Sequence, residues 1–262
     1  MASIYDVNGN EIVISGSADE IYNYAKWNGK KLLVEGNSLT ANAKSWGYWL
    51  AQDLGMSLTN KATGGGAIPR WEQTGTTTIT DIKAIVNDYP NQVDLLIAQG
   101  DTNIGSWAFG SVSDQMDGDD PKTTWAAAMN YWLRCVRAKY PNIVIVLIPD
   151  SVRYGGASWQ HTGGSVQPYD YGLNLNQSVQ YMSDIAKYNR CLYWDFDGAT
   201  PFNPNHGADN YYTTITSGTA DYTHPNVEFY KAKGHALAHW CAGLTFNPDA
   251  PNTALSDWTS YI

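Results

Sequence analysis

Five short strand-like segments alternate with segments of helical periodicity, and this alternation constrains the fold more than any other feature of the chain. The segments are LLVEG at 32–36, SLTNKA at 57–62, VDLLIAQG at 93–100, NIVIVLIP at 142–149 and CLYWDF at 191–196. Apolar strands that alternate with helices are typical of a parallel sheet buried on both faces. The sequence therefore predicts an α/β fold with a five-stranded, mainly parallel sheet and helices on both of its faces.

The ends of the chain differ from this alternating middle. Asn8-Gly9 lies between two short alternating segments, and Asn-Gly favours the turn of a β-hairpin. A chain of 262 residues is long enough for one large α/β domain. We predict an N-terminal hairpin or extension over 1–30, one domain over 31–242, and a tail over 243–262 that packs on the domain.

The net negative charge of the chain makes some classes of binding partner improbable. The formal net charge of −9 argues against nucleic acid or an anionic membrane surface, because both require clustered Lys and Arg. A neutral or cationic substrate fits better. We expect no membrane span, since no run of 18 apolar residues occurs, and no signal peptide in the first residues. Cytoplasmic and extracellular or virion-associated locations both stay open.

Cysteines and histidines give little indication of a metal. Cys135, Cys191 and Cys241 are widely spaced without a CxxC pair, so we expect three buried thiols rather than disulfides or a zinc cluster. His235 and His239 are four residues apart on a predicted helix, which can suit zinc. Because the glutamate of an HExxH motif is missing and no third ligand is evident, we predict no metal site.

Long connections follow three of the predicted strands. In open parallel α/β sheets, ligands bind beyond the carboxyl ends of the strands. The segments 101–120, 150–173 and 197–222 are longer than ordinary connections, and we expect them around that edge. They contain three aromatic side chains that could stack on sugar rings, which makes these residues candidates for substrate binding: Trp107, Tyr154 and Trp159.

A serine stands where the first apolar segment ends. Ser38 follows LLVEGN and precedes a helical pattern. There its hydroxyl lies on the ligand-binding edge and its backbone N–H at the positive end of a helix, which suits a nucleophile that also stabilises an oxyanion. The alternative is that Ser38 only caps the helix, a frequent role of serine.

A matching base comes near the end of the chain. His224 lies in DYTHPN, three residues after Asp221, on what we interpret as a short loop leading into the last helix. An aspartate this close can hold one imidazole nitrogen while the other accepts the serine proton. The alternative is an Asp-capped turn with Pro225 at the start of the helix.

Two further segments follow predicted strands. The glycines of NKATGGGA at 60–67 let the backbone approach a ligand and direct N–H groups at it. Asn103 in QGDTNIG carries an amide that can donate to the same oxyanion. Each segment alone is also typical of an ordinary turn. Together, at the ends of successive strands, they favour one site at the edge of the sheet.

These segments, in this order, resemble the four sequence blocks of the SGNH (GDSL-type) hydrolases over about residues 31 to 242. The last block is the most similar, since members commonly read Asp-x-x-His-Pro-Asn before a helix that contains a tyrosine. The resemblance implies a flavodoxin-like three-layer sandwich, an ester-hydrolysing activity and no cofactor. It implies the following roles: nucleophile Ser38, base His224, orienting carboxylate Asp221, and an oxyanion hole of Ser38, Gly65 and Asn103.

Two positions depart from the family pattern. Asn37 replaces the aspartate of Gly-Asp-Ser, which removes a charge beside the nucleophile and makes Asn37 a candidate for tuning activity or contacting substrate. Asn103 is one residue further from Gly100 than in Gly-x-Asn-Asp. Asp101 or Thr102 is therefore an alternative for the place of the amide donor.

The leading hypothesis is a serine esterase that acts on a short acyl ester, such as acetyl groups on a carbohydrate. One alternative is a carbohydrate-binding or phage-tail-associated module on the same scaffold with weak or no catalysis. Three features favour this alternative: Asn37, the shifted Asn103 and the N-terminal hairpin. Another is a thioesterase or lysophospholipase. Acyl and alcohol specificity and the oligomeric state stay open at this level.

Overall fold

The computed structural model describes residues 4–5, 11–12, 23–66, 68–69, 82–100, 108–116, 124–149, 175–195, 212–214 and 220–244. The strands are β1 Ile4–Tyr5, β2 Glu11–Ile12, β3 Lys31–Gly36, β4 Ser57–Asn60, β5 Leu95–Gln99, β6 Val144–Ile148, β7 Leu192–Tyr193, β8 Tyr212–Thr214 and β9 Ala220–Pro225. The helices are α1 Ser38–Ala41, α2 Trp46–Leu54, α3 Ile82–Asn87, α4 Trp125–Lys139, α5 Leu175–Tyr188 and α6 Val227–Gly243. A 3₁₀ helix, Tyr24–Trp27, precedes β3.

The five predicted strands form one parallel sheet in the order β4-β3-β5-β6-β7. Leu33 of β3, for example, lies between Thr59 of β4 and Leu96 of β5. This order is that of flavodoxin-like sheets. Strand β4 is added on one side of β3, whereas β5, β6 and β7 are added on the other side, so the topological switch point lies between β3 and β5. The prediction of a parallel α/β sheet is confirmed, and the ligand-binding crevice of such a sheet lies at the carboxyl ends of β3 and β5.

Both faces of the sheet are covered, as the apolar strands predict. Leu33, Leu96 and Leu147 point to one face, where α3, α4 and α5 cover them. Their neighbours in sequence point to the other face, against α2 and α6. A parallel strand buried on both faces needs apolar residues at consecutive positions, which explains the consecutive apolar residues 95–98 of β5.

The N-terminal hairpin is confirmed, with Ile4 opposite Ile12 in an antiparallel pair. The 3₁₀ helix Tyr24–Trp27, which lies between this hairpin and β3, packs on α6. Trp27 is fully buried and donates its indole N–H to the carbonyl of Cys241 at 3.1 Å, while Lys26 donates to the carbonyl of Ala242 at 3.1 Å. Residues 23–30 are therefore attached to the sheet domain through its last helix.

The region before α6 differs from the prediction. We interpreted Asp221 and His224 as loop residues, but both lie in β9, which pairs with β8 in a two-stranded antiparallel ribbon. The pairing runs from Tyr212 opposite Pro225 to Thr214 opposite Ala220, so three residues of β8 match six of β9. Such a mismatch is a bulge, and strict side-to-side alternation does not apply along β9.

Cysteine burial is a second correction. All three cysteines are free. Cys241 is a buried residue, whereas Cys135 and Cys191 are half-buried residues, although burial raises the pKa of the Cys191 thiol itself. Burial raises the pKa of the Cys241 thiol to about 12, with the nearby Lys26 ammonium opposing the rise. Among the helices that the structure describes, none is long and apolar enough to cross a membrane.

Candidate active site

Ser38 lies at the carboxyl end of β3, where the sequence places it, and is the first residue of α1. The residue that caps α1 is Asn37, whose side-chain Oδ1 accepts the N–H of Leu39 at 2.9 Å. The Asn37 carbonyl also accepts the N–H groups of Thr40 and Ala41, each at 3.0 Å. Since Asn37 fills the capping position, the alternative of Ser38 as the helix cap is wrong. The Ser38 side chain is half-buried.

Asn37 performs a role that needs an oxygen rather than a charge. Its Oδ1 occupies the place that a carboxylate oxygen of an aspartate would take in the same cap. Asn37 itself is buried. The departure from Gly-Asp-Ser therefore keeps the helix cap beside Ser38 and removes a negative charge.

The turn after Ser38 rests on buried polar side chains that sequence analysis missed. Thr40 donates its hydroxyl to Oε1 of Gln99 at 3.0 Å, and the Trp46 indole N–H donates to the same oxygen at 2.5 Å. The Nδ2 of Asn60 donates to the carbonyl of Thr40 at 2.8 Å. We call these four residues, Thr40, Trp46, Asn60 and Gln99, the polar frame. The frame joins α1 and α2 to the ends of β4 and β5.

Gly36 lets this frame close. A Cβ at Gly36 would lie 2.6 Å from Oγ1 of Thr40 and 2.8 Å from the backbone oxygen of Gln99. Both distances are shorter than a carbon–oxygen contact allows, so any side chain at this position would push α1 away from the sheet. The glycine of the first sequence block is required by close packing.

The glycine-rich loop runs beside the end of β3. Lys61 donates its N–H to the carbonyl of Val34 at 2.9 Å, and Thr63 donates to that of Gly36 at 3.0 Å. Two residues further on, Gly65 adopts a left-handed conformation with φ of 72°, which glycine reaches without steric cost. These bonds keep the loop that carries Gly65 next to the strand that Ser38 follows.

The strand that carries His224 reaches the same region. Helix α1, which begins at Ser38, packs against β9. Downstream, Asn226 caps α6 by accepting the Phe229 N–H at 3.0 Å. Because Asn226 is the cap and Pro225 belongs to β9, the alternative of an Asp-capped turn with Pro225 starting the helix is wrong. The side chains of Asp221 and His224 lie outside the described part of the structure.

Four predicted site residues, Asn103, Trp107, Tyr154 and Trp159, lie outside the described residues. The chain approaches Asn103 from the end of β5, where Gly100 donates its N–H to the carbonyl of Ile148 at 3.2 Å. Part of the first long connection does return to the domain. Asn130 of α4 donates to the carbonyls of Val112 at 2.9 Å and Asp114 at 2.7 Å, so residues 108–116 pack on that helix.

The two helical histidines have separate partners. His235 Nδ1 lies 2.5 Å from the carboxylate of Asp53 on α2, and His239 Nδ1 lies 3.1 Å from the Tyr24 hydroxyl. Within the part of the chain that the structure describes, no group of three His, Cys, Asp or Glu side chains comes together. Both histidines therefore connect α6 to neighbouring elements.

Solved structures share this fold. A protein from Lactobacillus plantarum is similar with a TM-score of 0.60 at 15% identity, over 84% of this chain and 99% of that one. A carbohydrate esterase family 2 enzyme with a carbohydrate-binding domain, from Corynascus thermopiles, gives 0.54 at 17% identity, over 91% and 70% of the two chains. A protein assigned as a GDSL-like lipase, from Bacteroides ovatus, gives 0.52 at 13% identity, over 83% and 100%. The chain shares the α/β fold of these proteins, which is consistent with the fold that the resemblance to SGNH hydrolases implies.

No family model and no curated protein sequence matches the chain. The likeness to these solved structures is thus one of architecture. Within the SGNH fold, Ser38 follows β3, Gly65 follows β4 and His224 lies just before α6. The sequence blocks that contain these three residues therefore occur in the same order as the elements beside them.

Proposed function

We propose that this chain is a serine esterase in which Ser38 is the nucleophile, His224 the general base and Asp221 the carboxylate that orients the imidazole. The observation that carries the proposal is the packing of α1 against β9, since Ser38 begins one element and His224 lies in the other. Two segments far apart in sequence therefore have backbone close to each other. A serine and a histidine act together only within hydrogen-bonding reach.

The proposed reaction needs no cofactor. His224 removes the proton from the Ser38 hydroxyl as its oxygen attacks the ester carbonyl carbon. The resulting oxyanion accepts hydrogen bonds from the backbone N–H groups of Ser38 and Gly65 and from the Asn103 amide. The tetrahedral intermediate then collapses to an acyl-enzyme, and the imidazolium of His224 gives its proton to the leaving alcohol. Water, deprotonated by His224, releases the acid and regenerates Ser38.

We propose a short acyl group on a carbohydrate as the substrate. One structural neighbour is named as a carbohydrate esterase, and the protein's own negative charge disfavours polyanionic substrates. Aromatic residues Trp107, Tyr154 and Trp159 in the long connections would supply faces for sugar rings. A neutral acetylated sugar fits these features better than a phospholipid does.

Turnover of p-nitrophenyl acetate tests the proposal. Wild-type protein should hydrolyse the ester and Ser38→Ala should not. Ser57→Ala is the matched control, because Ser57 is exposed at the start of β4, at the amino ends of the strands and away from the carboxyl end of β3 that Ser38 follows. Equal rates for wild type and Ser38→Ala would refute the nucleophile. Faster turnover of p-nitrophenyl palmitate than of acetate would favour a thioesterase or lysophospholipase, and glycan binding without ester turnover would favour a binding module.

A further inference from the structure

Gln99 lies beneath the turn that presents Ser38, and its role in that turn has consequences for the proposed reaction. We propose that Gln99 is a positioning residue: through its two buried hydrogen bonds it fixes α1, and with it Ser38, on the end of the sheet. The inference rests on the proposed esterase function. It concerns how the nucleophile is held and adds no group that touches the substrate.

The geometry at Gln99 is specific. Its Oε1 accepts from the Thr40 hydroxyl and from the Trp46 indole N–H. An indole nitrogen can only donate, so the amide must turn its oxygen towards Trp46, and that oxygen has the two lone pairs that both bonds require. Gln99 is 1% exposed, and Thr40 and Trp46 are 0% exposed. Water therefore cannot replace either bond.

Helix α1 depends on contacts of this kind. It contains four residues, Ser38–Ala41, and a single helical turn is not stable by itself. Its last part is held from two strands at once, because Asn60 binds the carbonyl of Thr40 and Gln99 binds the hydroxyl. Gly36 permits the short distance between these groups. Loss of the Gln99 contact would let the turn shift relative to the sheet.

A small shift matters because nucleophilic attack requires a defined approach to the carbonyl. Displacement of a reacting group by about 1 Å can cost about a hundredfold in rate. The fold, by contrast, depends on the two large apolar clusters on the sheet faces. A positioning role therefore predicts a loss of kcat that exceeds what the loss of folded protein explains.

Four variants separate these effects. Gln99→Met removes the acceptor and keeps a similar shape; Thr40→Val removes one donor; Thr40→Ser keeps the donor; and the double variant Gln99→Met with Thr40→Val completes a cycle. We expect Gln99→Met and Thr40→Val each to lower kcat for p-nitrophenyl acetate about ten- to a hundredfold with KM nearly unchanged. Thr40→Ser should restore most of the activity, and the double variant should lose no more than the worse single variant.

Asn189→Ala is the matched control for a buried polar contact away from the site. Asn189 donates to Oδ1 of Asn130 at 2.6 Å and to the carbonyl of Ile185 at 3.0 Å, on the face covered by α4 and α5. Its replacement should lower the unfolding midpoint and leave kcat at the wild-type value. Circular dichroism and urea unfolding establish the folded fraction of every variant before rates are compared.

The results for these variants distinguish failure of the positioning role of Gln99 from failure of the proposed esterase function. Wild-type kcat in Gln99→Met or in Thr40→Val would overturn the positioning role and leave the esterase proposal standing. If Gln99→Met does not fold, Thr40→Val and its Thr40→Ser counterpart decide, because Thr40→Val keeps the shape of residue 40 without the hydroxyl and Thr40→Ser keeps the hydroxyl with the loss of one methyl group. A wild-type protein that turns over no ester would overturn the esterase proposal and this inference together.

Discussion

Gly234 in α6 lies where that helix crosses α2, and replacing it by alanine should destabilise the protein. A Cβ at Gly234 would lie 2.5 Å from Cβ of Trp49, 2.6 Å from the carbonyl oxygen of Trp46 and 3.1 Å from the backbone N of Leu50. Two of these three atoms belong to the backbone and cannot rotate away. The helices would have to separate to accept one methyl group.

Two opposing effects determine how much Gly234→Ala changes the free energy of unfolding. Glycine to alanine inside a helix normally stabilises by about 1 kcal/mol. Overpacking a closely packed contact costs about 1–3 kcal/mol, and contacts with backbone atoms belong at the upper end. The net expectation is a loss of about 2 kcal/mol in the free energy of unfolding, which for a protein of this size lowers Tm by about 4–8 °C.

Gly47→Ala in α2 is the matched control. Its Cβ would meet only the side chain of Val34, with the two methyl groups at 3.1 and 3.4 Å and Cβ at 3.7 Å, and a few tenths of an ångström of movement would relieve the shortest contact. There the helix propensity gain should offset the crowding, so stability stays within about 1 kcal/mol of wild type. Urea unfolding followed by far-UV circular dichroism measures both variants. A Gly234→Ala protein as stable as Gly47→Ala would refute the close crossing of α2 and α6.

Three further changes test other parts of the structure. Lys139 donates to the carbonyls of Val86 and Asn87 at the end of α3 and of Tyr89 just after it, so Lys139→Met should lower the free energy of unfolding by about 1–2 kcal/mol in urea titrations. Burial raises the pKa of the Cys241 thiol from 9.0 to about 12, so the stability that this neutral thiol contributes is complete below pH 9.0 and is lost as the pH rises towards 12. Thermal unfolding at about pH 8 and about pH 10 should therefore show a smaller alkaline loss in Cys241→Ala than in wild type. Asn37→Ala, which removes the acceptor for the Leu39 N–H, should cost about 1 kcal/mol, whereas Asn37→Asp keeps the cap and should cost less by the same measurement.

The sheet could be predicted from sequence because its strands are marked by short runs of consecutive apolar residues. Consecutive apolar residues such as those of β5 are required of any parallel strand with both faces covered, and the helices between the strands have their own periodicity. Gly55 was likewise predictable as a helix end, and it adopts the left-handed conformation with φ of 64°. The position of Ser38 followed from the same reasoning, since the end of a strand fixes where the next residue lies.

The ribbon of β8 and β9 was missed because its strands are short and carry no apolar alternation. Its residues, YTT and ADYTHP, are polar or mixed, and neither periodicity nor a two-residue turn marks them. Pairing between such segments is decided by tertiary contacts, including the packing of α1 against β9. A bulged pairing is especially hard to predict from sequence patterns.

The polar frame was missed for a different reason. Each of its hydrogen bonds joins residues from different elements, and no spacing rule relates Thr40 to Gln99. One signal was present, because Gln99 is a polar residue at the end of an otherwise apolar buried strand. A buried amide needs partners, so this residue could have been marked as part of a hydrogen-bonded cluster at the sheet edge.

Labelling with a fluorophosphonate followed by mass spectrometry identifies the nucleophile of the protein, because the reagent modifies activated serine side chains. Cleavage after Lys31 and Lys44 gives the peptide LLVEGNSLTANAK, whose single serine is Ser38. If Ser38 is the nucleophile and His224 its base, we expect one adduct, on this peptide, that is absent in Ser38→Ala and forms much more slowly in His224→Ala. An adduct on another peptide, or an unmodified Ser38 in folded wild-type protein, would contradict it.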